Sequence, residues 1–168
     1  MKLDALLQWV FSLSAAVAMR ENEFLFPWIE SLHVLSITLV FGTIAMVDLR
    51  ICGLAFNEQR VSRLINQLLP CTWGAFAIAA LTGGLLFISN AFSYAHNLYF
   101  QIKILCLILA GLNMLFFHFV AGRDISRWES TSTPWPARLA GVVSLVIWVT
   151  VIATGRWIGF TLQPHLIG

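Results

Sequence analysis

Charge is scarce in this sequence. Ten basic and eight acidic side chains make up 11% of the 168 residues, where an ordinary soluble domain carries about a quarter. Apolar residues reach 59% and the mean hydropathy is +0.83, so neither a soluble globular domain nor a disordered chain fits. The net charge of +2 comes from scattered residues and forms no basic stripe, which argues against a nucleic-acid binder. Cysteine is sparse too: Cys52, Cys71 and Cys106 make no CxxC pair and no zinc spacing. Cys71 and Cys106 lie in apolar runs, where a free thiol packs as a small hydrophobe, so no disulfide framework is expected. A P-loop, an HExxH and any nucleophile–base pairing are all missing. By itself the chain reads as a non-enzyme.

What the sequence has is apolar length. Four stretches reach the roughly 20 residues that a helix needs to cross a bilayer: about 27–48, 72–92 (or on to His96), 101–121 and 138–160. Lipid offers no partners to an open backbone, so the fold class is an all-α integral membrane protein, a four-transmembrane-helix bundle forming one domain over 1–168. Pro27 suits the first turn of the first span, where a missing N–H costs nothing. Arg50, Arg60 and Arg63 follow span one, and Arg123, Arg127 and Arg138 follow span three. The loop around Tyr94–Tyr99 and the tail Thr161–Gly168 are uncharged. The positive-inside rule therefore places the arginines in the cytoplasm and both termini outside. Trp28, Trp73, Trp135 and Trp157 fall near span ends, as an aromatic belt does.

The N-terminus imitates a secretory signal, with Lys2, an apolar run and Ala16-Val17-Ala18. Asp4 and Gln8 interrupt that run. Leu3, Leu6, Leu7, Val10, Phe11, Ser14 and Val17 follow helical spacing, opposite Asp4, Gln8 and Ser12. The expectation is a retained amphipathic helix over 3–19, lying in the outer interface. Asn57–Leu69 has the same character, with Pro70 expected to end it as a short helix on the inner interface. Ser130–Pro136 reads as a turn. Gly83-Gly84, Ala110-Gly111 and Ala140-Gly141 allow close helix approach, and Thr82, Ser89, Asn90 and Ser144 can hydrogen-bond across it.

Ionisable groups inside spans are costly, which makes each a candidate for function. Glu30 and His33, three apart on one helix face, lie near the outer side with Lys103 and Arg156. His33 is about 9 Å inside Pro27 and Lys103 about 3 Å inside Gln101, so the four can meet. They fit a salt-bridged clamp, Glu30 with Arg156 or Lys103. They equally fit an outward-facing pocket for an anion, a quinone head or haem propionates. A second cluster, Asp48, Arg50, Asn113 and His118, lies toward the basic side; His118 could bond Asp48 or reach the headgroups. A b-type haem would draw ligands from His33, His96 and His118, or from Met46 with His118. His33 and His118 differ in depth by too much for one iron to bridge, since His118 is about 25 Å along its span from Gln101.

The segments WIESLHVLSITLVFGTIAMVDLRICGL (Trp28–Leu54), LPCTWGAFAIAALTGGLLF (Leu69–Phe87), FQIKILCLILAGLNMLFFH (Phe100–His118) and ARLAGVVSLVIWVTVIATGRWIGF (Ala137–Phe160) resemble a bacterial inner-membrane family classified as a domain of unknown function. The resemblance implies four spans and motif positions E-x-x-H, D-L-R, I-K, N-x4-H and G-R-W. More distantly the bundle is similar in architecture to b-type cytochromes and copper-resistance membrane proteins, without the cytochromes' paired histidines.

Three functions are consistent with these residues. One is a non-hydrolytic inner-membrane module of a redox or metal-handling system, binding a cofactor, a quinone or a partner's acidic group at Glu30, His33, Lys103 and Arg156. Another is a structural or assembly subunit whose polar clusters lock helices together. The third is a small transporter built as a homo-oligomer. Expected partners are the lipid bilayer and other membrane or periplasmic subunits, or further copies of the chain.

Overall fold

Apolar runs of this length can satisfy their backbones in lipid as helices, and the chain does so throughout. A computed structural model describes residues 2–129 and 132–162, with side chains from Asp4 onward. The elements are α1 (Lys2–Phe11), α2 (Ser14–Glu21), α3 (Leu25–Cys52), α4 (Val61–Ser89), α5 (Ala91–His96), α6 (Leu98–Phe116), α7 (Ile125–Trp128) and α8 (Trp135–Thr161). A π-helical segment, Phe117–Ala121, continues α6. Among the described residues there is no strand. Helices α3, α4, α6 with its π extension, and α8 are each long and apolar enough to cross a membrane. The protein is a four-span membrane bundle.

Association of such helices gains little from hydrophobicity, because lipid is as apolar as leucine; close packing of small residues and interhelical hydrogen bonds must do it. Helix α8 is the most buried of the four spans. Its buried residues Ala137, Ala140, Gly141, Ser144, Trp148, Val151, Thr154 and Ile158 recur every three or four positions, one continuous stripe. Val40, Ala75, Cys106, Trp148 and Val151 bring all four spans into one core. At the basic end Ile51, Val61, Ala121 and Ala137 form a second cluster. At Gly141 a methyl group would meet Cys52 Sγ at 3.1 Å and the Asp48 carbonyl at 3.3 Å, so a glycine is what lets α3 and α8 touch. Gly84 and Gly111 face open space and serve no such approach.

The helix ends follow from local chemistry. Gly53, at φ 76°, closes α3: its N–H bonds Arg50 O and the Leu54 N–H reaches back to Leu49 O. Asn97 caps α6, accepting from the N–H groups of Tyr99 and Phe100 at 2.9 and 3.2 Å. Its Nδ2 also donates to Thr161 Oγ1 at 2.9 Å, tying α6 to the end of α8.

Several expectations need correction. The amphipathic segment after Asn57 is no separate interfacial helix ended by Pro70; α4 runs unbroken from Val61 to Ser89 with Pro70 inside it. A proline cancels one backbone bond, and the strong helical segments on either side carry the helix past it. Span two accordingly begins earlier and stops at Ser89, where Asn90 breaks the chain before α5. The N-terminal 3–19 helix is two helices, α1 and α2, interrupted at Ser12 and Leu13. Arg20 bridges the break, its guanidinium 3.7 Å over the Phe11 ring and donating to Phe11 O at 3.0 Å. This segment is fixed to the bundle, with Leu7, Ala16 and Met19 buried. Parts of two expected features, the turn at Ser130–Pro136 (residues 130–131) and the tail Thr161–Gly168 (residues 163–168), lie outside the described residues.

Candidate functional site

His33 is central to the half of the bundle that carries α5 and the end of α8, opposite the basic end and termed the outer half. Its Nδ1 lies 2.9 Å from Thr82 Oγ1 on α4. The Thr82 hydroxyl also lies 2.7 Å from Ile78 O in its own helix; while it donates there, Oγ1 accepts from Nδ1–H and the lone pair of the neutral ring stays on Nε2. The Ala79 carbonyl also faces the ring. The Cε1 edge of the imidazole lies close against Gly83, where a methyl group would be 2.8 Å from Cε1. Of the paired glycines, Gly83 is the one that makes room for the ring.

Lys103 of α6 completes the pair from the opposite side. Its Nζ approaches the space over Gly155 of α8, 3.6 Å from where a methyl group would be, and its charge acts directly on His33. Four spans therefore converge here: His33 from α3, Thr82 and Gly83 from α4, Lys103 from α6 and Gly155 from α8. An imidazole acceptor and an ammonium donor face one small region.

Aromatic rings roof this region. Phe87 and Phe100 stack at 5.3 Å and 14°, and Tyr94 of α5 meets them edge-on or tilted at 5.5 and 6.3 Å. Phe100 is one turn outward of Lys103, Phe87 one turn outward of Gly83, and Glu30 one turn outward of His33. Glu30 is exposed, and its charge reaches Tyr94. Burial first, and then the Glu30 carboxylate, push the Tyr94 phenol above its ordinary value, which keeps it a hydroxyl donor.

The structure separates Arg156 from this group. Its side chain is exposed and its guanidinium stacks 4.9 Å from the Phe160 ring, on the outer surface of α8. Tyr94, Phe87 and Phe100, uncharged side chains that give no signal among the charged groups of the spans, take its place beside Glu30, His33 and Lys103.

The second cluster is also rearranged. Asp48 is buried and takes a hydrogen bond from Ser144 of α8, not from His118. His118 lies exposed on the π-helical segment, edge-on to Phe119 at 5.1 Å. Asn113 Nδ2 donates to Ala140 O at 3.0 Å, joining α6 to α8, and Arg50 Nε donates to Gln59 O at 2.6 Å, closing the α3–α4 loop. Ser89 bonds its own helix at Leu86 O and makes no bridge.

His33 and His118 lie at different levels of the bundle, and Met46, the other expected partner of His118, is exposed like it. His118 is 15 residues along the same helix from Lys103, about 22 Å away from the His33 level. His96 is exposed and its Nδ1 is 2.9 Å from Phe92 O. Among the described residues no group of three His, Cys, Asp or Glu side chains forms a metal-binding cluster.

The chain belongs to the DUF6644 family, a family of unknown function, whose model matches residues 22–161. That range holds all four spans and each residue of the outer site. No curated protein and no solved structure matches the chain, so the architectural likeness to b-type cytochromes and copper-resistance proteins gains no support from them.

Proposed function

We propose that this DUF6644 member is a non-hydrolytic module of the bacterial inner membrane, both termini facing outward, that binds a quinone head in the outer half of its bundle and serves a redox or metal-handling system. One observation carries this reading: His33, hydrogen-bonded to Thr82 through Nδ1, is a half-buried imidazole within electrostatic reach of the Lys103 ammonium, and Nε2 is the nitrogen not engaged by Thr82. A quinone head has a planar ring with two oxygens. Its carbonyl accepts a hydrogen bond from an ammonium or a phenol, and its reduced hydroxyl donates one to an imidazole lone pair. Lys103, Tyr94 and His33 supply those three partners, and the rings of Phe87 and Phe100 supply the flat apolar contact. An isoprenoid tail leaves such a site directly into lipid.

A second reading, a scaffold subunit, is favoured by the interhelical bonds His33–Thr82, Thr72–Thr43 and Asn113–Ala140, each of which also locks two spans together. Chemical extraction and spectroscopy of the purified protein distinguish the two. The quinone reading predicts extractable quinone in near-stoichiometric amount and no haem bands after dithionite reduction. A quinone-free, colourless protein that also takes up no added quinone is the scaffold result. A reduced Soret band would replace quinone with haem.

A further inference from the structure

The inner half of the bundle contains a carboxyl group that the outer site does not use. Asp48 is only 7% exposed, four residues before the end of α3, and Oδ2 of its carboxyl is buried without a hydrogen-bond partner. The other contact of the carboxyl is the Ser144 hydroxyl. The surrounding groups are accounted for. On its own helix Arg50 is turned to Gln59 O, and the Cys52 thiol donates to Arg138 O at 3.8 Å. From α8 come Ser144 and Arg138, the latter exposed; from α6, Asn113 is committed to Ala140 O. The π-helical segment offers His118, which is exposed, and α4 offers Val61 and Ile65, while its Arg63 is exposed and Arg60 acts on Glu129.

A carboxylate oxygen sealed among apolar helices, with no cation at hydrogen-bond distance, is one of the costliest arrangements a membrane protein can hold, and a bound proton removes the charge. A hard metal cation would instead gather six or more oxygens, and the neighbours here are one hydroxyl and one thiol. We infer that Asp48 is a proton-binding site, loaded in the closed bundle and exchanging its proton with the basic side of the membrane. The helix end is about 6 Å away, a short path for exchange. This inference is independent of the quinone reading, which concerns the other half of the bundle.

A hydrophobic carbodiimide tests it. The reagent N,N′-dicyclohexylcarbodiimide enters lipid and attacks protonated carboxyls: the acid oxygen adds to the central carbon, the proton moves to nitrogen, and rearrangement to a stable N-acylurea loses no atoms. The full chain in lipid nanodiscs is treated across a pH series in potassium buffer and its peptides are mapped by mass. The expected result is label on Asp48 at mildly acidic and neutral pH, lost under alkaline conditions and absent from Asp48→Asn. Because the mapping is read on the unaltered chain, it does not depend on that variant folding. Label confined to exposed carboxyls such as Glu58 and Asp124 would overturn the inference. So would an Asp48 label unchanged into strongly alkaline buffer, which means no exchange, or protection of Asp48 by sodium in place of potassium, which means a metal-cation site.

Discussion

Thr82 joins α4 to His33 of α3, its Oγ1 lying 2.9 Å from the imidazole Nδ1. The same hydroxyl lies 2.7 Å from the Ile78 carbonyl, and while it donates there the contact runs from ring to hydroxyl and leaves the imidazole lone pair on Nε2. Replacing Thr82 with valine keeps the shape and removes the acceptor. Thr82→Val should destabilise the bundle by about 1 kcal/mol, in the range of interhelical hydrogen bonds in membranes. It should weaken quinone binding as well, and Thr82→Ser should restore both. Reversible unfolding in mixed micelles and quinone titration measure the two effects.

Gly83 and Gly84 make an internal control. Both substitutions to alanine gain about 1 kcal/mol of helix propensity, but at Gly83 the new methyl group meets the His33 ring at 2.8 Å, and at Gly84 it meets nothing. Gly83→Ala is expected to lose about 1–3 kcal/mol to overpacking and to displace the imidazole. Gly84→Ala should be neutral or slightly stabilising. Equal effects at the two positions would show that the ring does not rest on Gly83.

Glu129 predicts a pH dependence on the basic side. Its Oε2 accepts from Ser62 Oγ at 2.7 Å and from the Ser62 N–H at 3.2 Å, tying the segment after α7 to the first turn of α4. Those bonds, the side-chain one first, hold the carboxyl below its ordinary value, and the charges of Arg60 and Arg50 add to this. A depressed carboxyl stabilises the fold above its unfolded value and loses that contribution as pH falls through the folded one. Hydrogen-exchange protection of the Ser62 amide should thus be full at neutral pH and decline in acid. Glu129→Gln should show the weaker protection already at neutral pH.

Much of this architecture is legible in the sequence because lipid leaves so few choices. The apolar runs give four spans, and the spacing of Glu30 and His33 shows that they share a face. What periodicity does not show is where α4 starts, since a single proline inside strong helical sequence does not stop a helix. Nor does it show which way a side chain turns: Arg156 is next to Gly155 in sequence, yet it stacks outward on Phe160 while Lys103 approaches Gly155 from within. The partner of Asp48 had no signal either. Ser144 is one of many polar residues in the spans, and only helix packing selects it over His118.

Arg156 and Lys103 separate charge on the exposed face of α8 from charge within the outer site. Arg156→Gln removes an exposed cation–π contact and should leave quinone affinity and stability nearly unchanged. Lys103→Met keeps the apolar stem, removes the ammonium donor and should reduce affinity about tenfold or more, the loss of one charge-assisted hydrogen bond.

The most direct measurement is the affinity of a short-tailed quinone for the full chain in lipid nanodiscs, followed by tryptophan fluorescence quenching, for wild type, His33→Phe, Lys103→Met and Arg156→Gln. The account predicts saturable binding that persists in Arg156→Gln and is lost or weakened at least about tenfold in the other two, in samples whose unfolding shows them still folded. Saturable binding of equal strength in all four would contradict it, as would no saturable binding to the wild type.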